Sequence, residues 1–227
     1  MGAILVIMFV LFVALGVPIS FALGVVSFTG IASLAQIPNT VVFSKMFNGL
    51  NSFTLLAVPL FILAANLMNE GEITEKLINC CNALVGHFRG GLAYSNVLVS
   101  MIFAGISGSS QADTAGVGKI FIPAMEKQGY DKGTSVGVTA ASSTLGSIIP
   151  PSITMVVYAG IANVSTGALF MSGLVPGILL GLAMMAVVKM YSKKKNFPKC
   201  EKVSAGEAMK LVWQSMPALL TPIILIG

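Results

Sequence analysis

The chain has 227 residues, 56% hydrophobic and only 9% charged, with a formal net charge of +5. An ordinary soluble domain carries about 25% charged residues, so a soluble core this apolar would lack polar surface to cover it. The composition points to a polytopic helical membrane protein. Continuously apolar stretches such as residues 3–17 exclude a membrane β-barrel, whose strands alternate polar and apolar.

Residues 1–15 have no basic flank, so no cleaved secretory signal is expected. Residues 2–34 are apolar but interrupted at Gly16-Val17-Pro18. A single helix of that length would run about 50 Å, too long for a ~30 Å hydrocarbon core, and Pro18 disfavours helix at Val17. Two short spans in a hairpin are expected, followed by a turn at residues 36–39. Residues 40–50 set Val41, Val42, Met46, Phe47 and Leu50 against Ser44, Lys45 and Asn48, the pattern of an interfacial amphipathic helix. Residues 52–68 are a span containing Pro59, ended by residues 69–71. Residues 74–89 carry Leu77, Ile78, Cys81, Leu84, Val85 and Phe88 at helical spacing, a second helix lying on the membrane.

Residues 90–106 are apolar, and then Gly105 to Gly118 bring Ser, Gly, Thr and Asp113, with Lys119 just after, where a span should continue. The apolar arm that follows, residues 117–125, is short, and residues 126–132 form an aqueous loop. A re-entrant hairpin fits better than two full spans. Arg89, Lys127 and Lys132 flank its feet and place both on the cytoplasmic side. Residues 134–162 cross outward, broken at residues 146–151, and turn at Asn163-Val164-Ser165. Residues 166–190 return to Lys193, Lys194, Lys195, Lys199 and Lys202, an inside-facing cluster that also removes any nucleic-acid reading of the net charge. Counting back places the N-terminus outside. Ser204 with Glu207 has the spacing of a capping box. The apolar run from Met216 stops at Gly227 about half a span in, as expected for the front part of a longer protein.

Irregular chain survives at bilayer depth only when buried in protein or lining a wet cavity. Two Ser/Gly/Pro breaks close in sequence therefore point to an ion or substrate site. Pro150 and Pro151 leave nearby carbonyls without helical donors, and Ser and Thr hydroxyls add oxygen ligands of the kind a hard cation such as sodium needs. Asp113 is the one acidic residue expected near bilayer depth. It either caps the second half of the hairpin or serves as a proton or cation site. Cys80, Cys81, Cys200 and His87 have no metal-ligand spacing, so no transition metal and no cofactor is implied. An ion channel with re-entrant filter loops is the competing function. An intramembrane enzyme is disfavoured, because no Ser/His pairing, metal cluster or Asp pair is present.

Three stretches carry a family resemblance: Gly-Ile-Ser-Gly-Ser-Ser-Gln-Ala-Asp (105–113), Ile-Pro-Ala-Met-Glu-Lys-Gln-Gly-Tyr-Asp (122–131) and Thr-Ala-Ala-Ser-Ser-Thr-Leu-Gly-Ser-Ile-Ile-Pro-Pro-Ser-Ile (139–153). Residues 15–24 and 61–69 add to it. The chain resembles the N-terminal half of the large membrane subunit of TRAP (tripartite ATP-independent periplasmic) transporters. The resemblance implies an elevator-type fold of two inverted repeats in the bacterial inner membrane. Its function would be sodium-coupled import of organic acids such as dicarboxylates or sialic acid. The implied partners are a small membrane subunit and a periplasmic binding protein. Residues 1–89 would be scaffold, 90–162 transport core, 163–203 the returning span and cytoplasmic linker, and 204–227 the start of the second repeat. The resemblance places a sodium site at Ser107, Ser110, Gly146, Ile149 and Pro151, with Ser109, Ser143 and Thr144 beside it. Ser109, Ser110, Pro150 and Pro151 would lie near the substrate.

Overall fold

The computed structural model describes residues 2–33, 38, 40–50, 53–70, 73–195, 197–199 and 203–226, and among them there is helix and no strand. The turn expected at residues 36–39 falls, apart from Pro38, outside the described residues, as do Gly71, Cys200 and Lys202. The chain divides into two compact units, residues 1–53 and 54–227.

The first unit holds α1 (Gly2–Ala14), α2 (Ile19–Ala32) and α3 (Thr40–Leu50). The apolar N-terminal stretch is the expected pair of helices. Gly16 takes a left-handed conformation (φ 80°), and Pro18, fixed at φ −54°, precedes α2. The two helices pack on each other, with Leu5 against Gly30. Most of α1 remains exposed, Ile4, Ile7 and Leu11 included, as lipid-facing helices require. Phe28 and Phe43 meet edge to face at 6.4 Å and join α2 to α3.

The second unit holds α4 (Phe53–Glu70), α5 (Ile73–Val85), α6 (Gly91–Ser107), α7 (Ser110–Lys127), α8 (Lys132–Ser143), a 3-10 turn (Thr144–Ser147), α9 (Ile153–Ala162), α10 (Thr166–Lys195), α11 (Ala205–Gln214) and α12 (Met216–Ile226). α5 is shorter than expected. It stops at Val85 because the chain turns sharply through residues 86–90, where a Cβ on Gly91 would overlap the Gly86 carbonyl. α4 continues through Asn69 to Glu70, and α10 runs on to carry Lys193, Lys194 and Lys195 in its last turn, where cations complement the helix dipole. α10 alone among the described helices is long and apolar enough to cross a membrane by itself. Ser204 caps α11 by accepting the Glu207 N–H at 3.3 Å.

The helix at the centre is α6, buried nearly all round, with α5, α7, α8, α10 and α12 packed on it. Its Val97, Val99, Phe103 and Ile106 meet Leu77 of α5 and Val117, Phe121 and Met125 of α7. Toward α8 the contact is polar. The Asn96 amide donates to Thr139 Oγ1 (2.7 Å), whose hydroxyl donates to the Ser135 carbonyl (2.8 Å). Ser100 and Ser142 share a hydroxyl bond of 2.9 Å. Small hydroxyl residues let backbones approach, and such interhelical bonds contribute roughly 0.6 to 2 kcal/mol each.

One end of this unit gathers both feet of the α6–α7 pair, the start of α8 and the end of α10. The Gly90 N–H donates to the Pro198 carbonyl (3.0 Å), Tyr130 stacks on Phe197 at 4.5 Å, and Lys195 pairs with Asp131 at 2.7 Å. Asp131 also caps α8, accepting the Thr134 N–H and hydroxyl at 2.8 and 2.7 Å. The lysine clusters at residues 127–132 and 193–195 therefore share one end, as the charge pattern requires. The Lys195 ammonium, then the Thr134 hydroxyl and N–H, hold the Asp131 carboxyl below the usual carboxylate range. A depressed folded-state pKa stabilises the fold above the ordinary value of about 3.9 and ceases to do so as pH falls through the folded value. Thermal unfolding in detergent should give Asp131→Ala a lower midpoint than wild type at pH 7 and pH 5. That gap should close only in strong acid, and Asp131→Asn, which keeps a cap but not the charge, should fall between. A gap that closes between pH 7 and pH 5 would contradict this.

Candidate functional site

The polar stretch at 105–118 is a much shorter break than its composition suggests. Gly105 to Ser107 complete α6 and residues 110–118 open α7, so only Gly108 and Ser109 leave the helix. Hydroxyls turned onto their own helix explain this, as where Thr114 Oγ1 donates to the Ser110 carbonyl at 2.8 Å. Gly108 ends α6 in the left-handed conformation (φ 61°), its N–H returning to the Ala104 carbonyl at 3.1 Å. Ser109 is extended and caps α7 by accepting the Ala112 N–H at 3.4 Å. The expected cap at Asp113 is thereby corrected. An N-cap precedes the helix it serves, whereas Asp113 is the fourth residue of α7, and its side chain reaches back to Ser107.

The second break lies where expected. α8 tightens into the 3-10 turn at Thr144, and Pro150 and Pro151, joined by a cis peptide, offer no N–H to continue it. The Ile148 and Ile149 N–H groups both turn back to the Leu145 carbonyl (2.9 and 2.8 Å). The Ser147 carbonyl accepts from Ser152 (2.9 Å) and Thr154 (3.1 Å), and Ser152 caps α9. Among the described residues no donor is bonded to the carbonyls of Ile149, Pro150 or Pro151.

The two breaks touch. The Ile153 N–H donates to the Gly108 carbonyl at 3.0 Å, and a Cβ on Gly108 would lie 2.8 Å from the Pro151 oxygen. Gly146 faces the start of α7: a Cβ there would come within 2.5 Å of Asp113 Oδ2 and 3.0 Å of Ser110 N. The Ser107 hydroxyl donates to Asp113 Oδ1, while Oδ2, fully buried, has no hydrogen-bond partner among the described residues. A buried carboxylate oxygen without a partner is costly. The N-terminus of α7 favours the negative charge, and the bare oxygen can take a proton or a small cation.

Ser107, Asp113 and Gly146 are thus buried together, with Ser109 and Ser110 half-buried at the rim. Pro151 joins them through Gly108. Ile149 and Pro150 are buried behind, the Ile149 side chain packing with Ala104 and Leu145. Ser143 and Thr144 do not join the cluster with their hydroxyls, which bond the carbonyls of Thr139 (2.8 Å) and Ala141 (2.7 Å) on their own helix. Sequence reasoning missed Gly108, Ser152, Gly173 and Gly177. The last two press on the break from α10, and their four-residue spacing, the small-xxx-small signature of close helix packing, was the available signal.

Residues 6–227 match the family described as the tripartite ATP-independent periplasmic transporter, DctM component. The chain is 41% identical over 223 residues to the uncharacterized protein YgiK of Salmonella typhimurium, covering 96% of this chain and 51% of that protein. It is 40% identical over 231 residues to the C4-dicarboxylate TRAP transporter large permease protein DctM of Vibrio cholerae (99% and 50% covered). With the sialic acid TRAP transporter large permease protein SiaM of the same organism the figures are 38% over 220 residues (93% and 50%). The chain spans about half the length of these curated relatives, and with a match that runs through both breaks it belongs to the DctM component family of tripartite ATP-independent periplasmic transporters.

Proposed function

We propose that this chain is the first half of a large membrane subunit that imports a small organic acid by sodium-coupled, elevator-type alternating access. The observation that carries the reading is the meeting of two helix breaks around a buried carboxylate with one bare oxygen. Oxygen is what a hard cation binds, and broken helices supply it in transporters as carbonyl and hydroxyl ligands. Ser107, Ser110, Asp113 and the carbonyls of Gly146, Ile149 and Pro151 are the ligand set of this reading. This reading also sets Ser109, Ser110, Pro150 and Pro151 near a carboxylated substrate, which the α7 N-terminus would attract. Relatives named for C4-dicarboxylate and sialic acid transport favour an anionic substrate. They also favour the family's tripartite arrangement, with a small membrane subunit and a periplasmic binding protein as partners.

Helix lengths support a re-entrant hairpin. α6 has 17 residues and α10 has 30, about 26 and 45 Å respectively. Both leave the same end of the unit, so the tip at Gly108 stops well short of the far end of α10. A block in which α7, α8 and the 3-10 turn all pack on α6 suits a mobile core. Proton coupling through Asp113 is the second reading, favoured by the same bare Oδ2.

Four outcomes follow for the full-length protein, reconstituted with its small subunit and binding protein. Uptake should require an inward sodium gradient, and uptake that ignores sodium sinks the coupling. Ser110→Ala should raise the sodium concentration for half-maximal uptake about tenfold, the effect of losing roughly 1.4 kcal/mol of ligand energy. Gly146→Val should abolish transport, because its side chain would displace Asp113 and the start of α7; wild-type sodium titrations in both variants would reject the site. Asp113→Asn should raise the sodium requirement and leave the pH profile of uptake unchanged. A variant that instead keeps its sodium titration and loses stimulation by a proton gradient establishes the second reading.

A further inference from the structure

α10 supplies no ligand to the proposed cation site, yet it stands directly behind the second break. Gly173, Gly177 and Gly181 follow at four-residue intervals and are all buried. A Cβ on Gly173 would lie 2.6 Å from the Ile148 carbonyl oxygen and overlap Met155 Cε. A Cβ on Gly177 would lie 2.5 Å from Ile149 Cγ1 and 3.5 Å from Ile149 Cα. The three atoms nearest a Cβ on Gly181 all belong to the side chain of Met101, a flexible thioether that can move aside. The three glycines share a helix and a spacing, but only two of them touch the break.

The consequence differs for the same reason. Ile149 is β-branched and stiff at χ1, and the atom facing Gly177 is the one next to its Cβ, not the far end of the chain. Its side chain is also held by Ala104 and Leu145. Added volume at Gly177 therefore passes to the Ile149 backbone, and added volume at Gly173 acts on the Ile148 carbonyl itself. We infer that Gly173 and Gly177 are positioning residues that set where the Ile148–Ile149 backbone stands, and with it the Ile149 carbonyl of the proposed ligand set, and so tune the affinity of the junction for its cation. The inference rests on the cation-coupled reading above.

The test is a sodium titration of initial uptake rates by the reconstituted full-length complex. Gly177→Ala and Gly173→Ala should raise the sodium concentration for half-maximal uptake by about tenfold, the low end for residues supporting a metal's ligands, with the maximal rate retained. Gly181→Ala should titrate as wild type. Adding Ile149→Ala to Gly177→Ala removes the crowded Cγ1 and keeps the carbonyl, so half-saturation should return toward the wild-type value. Unchanged half-saturation in both Gly173→Ala and Gly177→Ala, or an equal rise in Gly181→Ala, overturns the proposal. If Gly177→Ala does not fold, Gly173→Ala and the double variant carry the same comparison. If wild-type uptake ignores sodium, the coupling reading fails by itself. Hydrogen exchange over residues 148–155 then decides the positioning claim: faster exchange in Gly177→Ala than in Gly181→Ala supports it, and equal exchange overturns it.

Discussion

Backbone groups removed from water must find partners inside the protein, and the second unit is arranged around the two places where helix stops and that requirement is hardest to meet. At the first, Gly108 and Ser109 close the junction with a left-handed C-cap and a serine N-cap. At the second, Leu145 gives its carbonyl to two successive N–H groups, and Ser147 gives its own to two hydroxyls. The bond from Ile153 to Gly108 then lets one break satisfy the other. Each irregular segment is sheltered because the other lies against it.

Such contact needs backbones closer than side chains allow, and the residues at the junction are chosen accordingly. Gly108 admits the Pro151 carbonyl, Gly146 admits the Asp113 carboxylate, and Gly173 and Gly177 admit the back of the break. The apolar core holds these approaches in register. α6 ends at the junction and is packed along its length by α5, α7, α8, α10 and α12. The polar seam between α6 and α8 fixes their relative height, because Asn96 and Thr139 pair at only one register.

The helical class, the N-terminal hairpin, the bounds of α3 and the Pro-Pro break were legible because each is dictated locally. Apolar run length, amphipathic period and missing N–H groups act within a few residues of one another. The pairing of the two breaks was legible too, since both are polar chain in apolar surroundings. What escaped depends on contacts distant in sequence. The stretch at 105–118 reads as irregular by composition, but its hydroxyls bond within the helix and most of it stays helical. Asp113 reads as a cap from its neighbours, whereas its partner, Ser107, lies on the other arm of the turn. The α10 glycines look like ordinary helix packing until Ile148 and Ile149 are placed opposite them.

The distribution of hydrogen bonds around the junction separates what holds the fold from what is left for a ligand. Ser143, Thr144, Ser147 and Ser152 donate their hydroxyls to nearby carbonyls, and so stabilise the break. Ser107 is different, because its hydroxyl goes to one oxygen of Asp113 and leaves the other bare. A carboxylate whose task was structural would be expected to have both oxygens occupied, given what an unpaired buried oxygen costs. One oxygen is held in place by Ser107, and the other lies against Gly146 of the second break. Gly146, lacking a side chain, lets that oxygen lie against its backbone, where a Cβ would come within 2.5 Å of it.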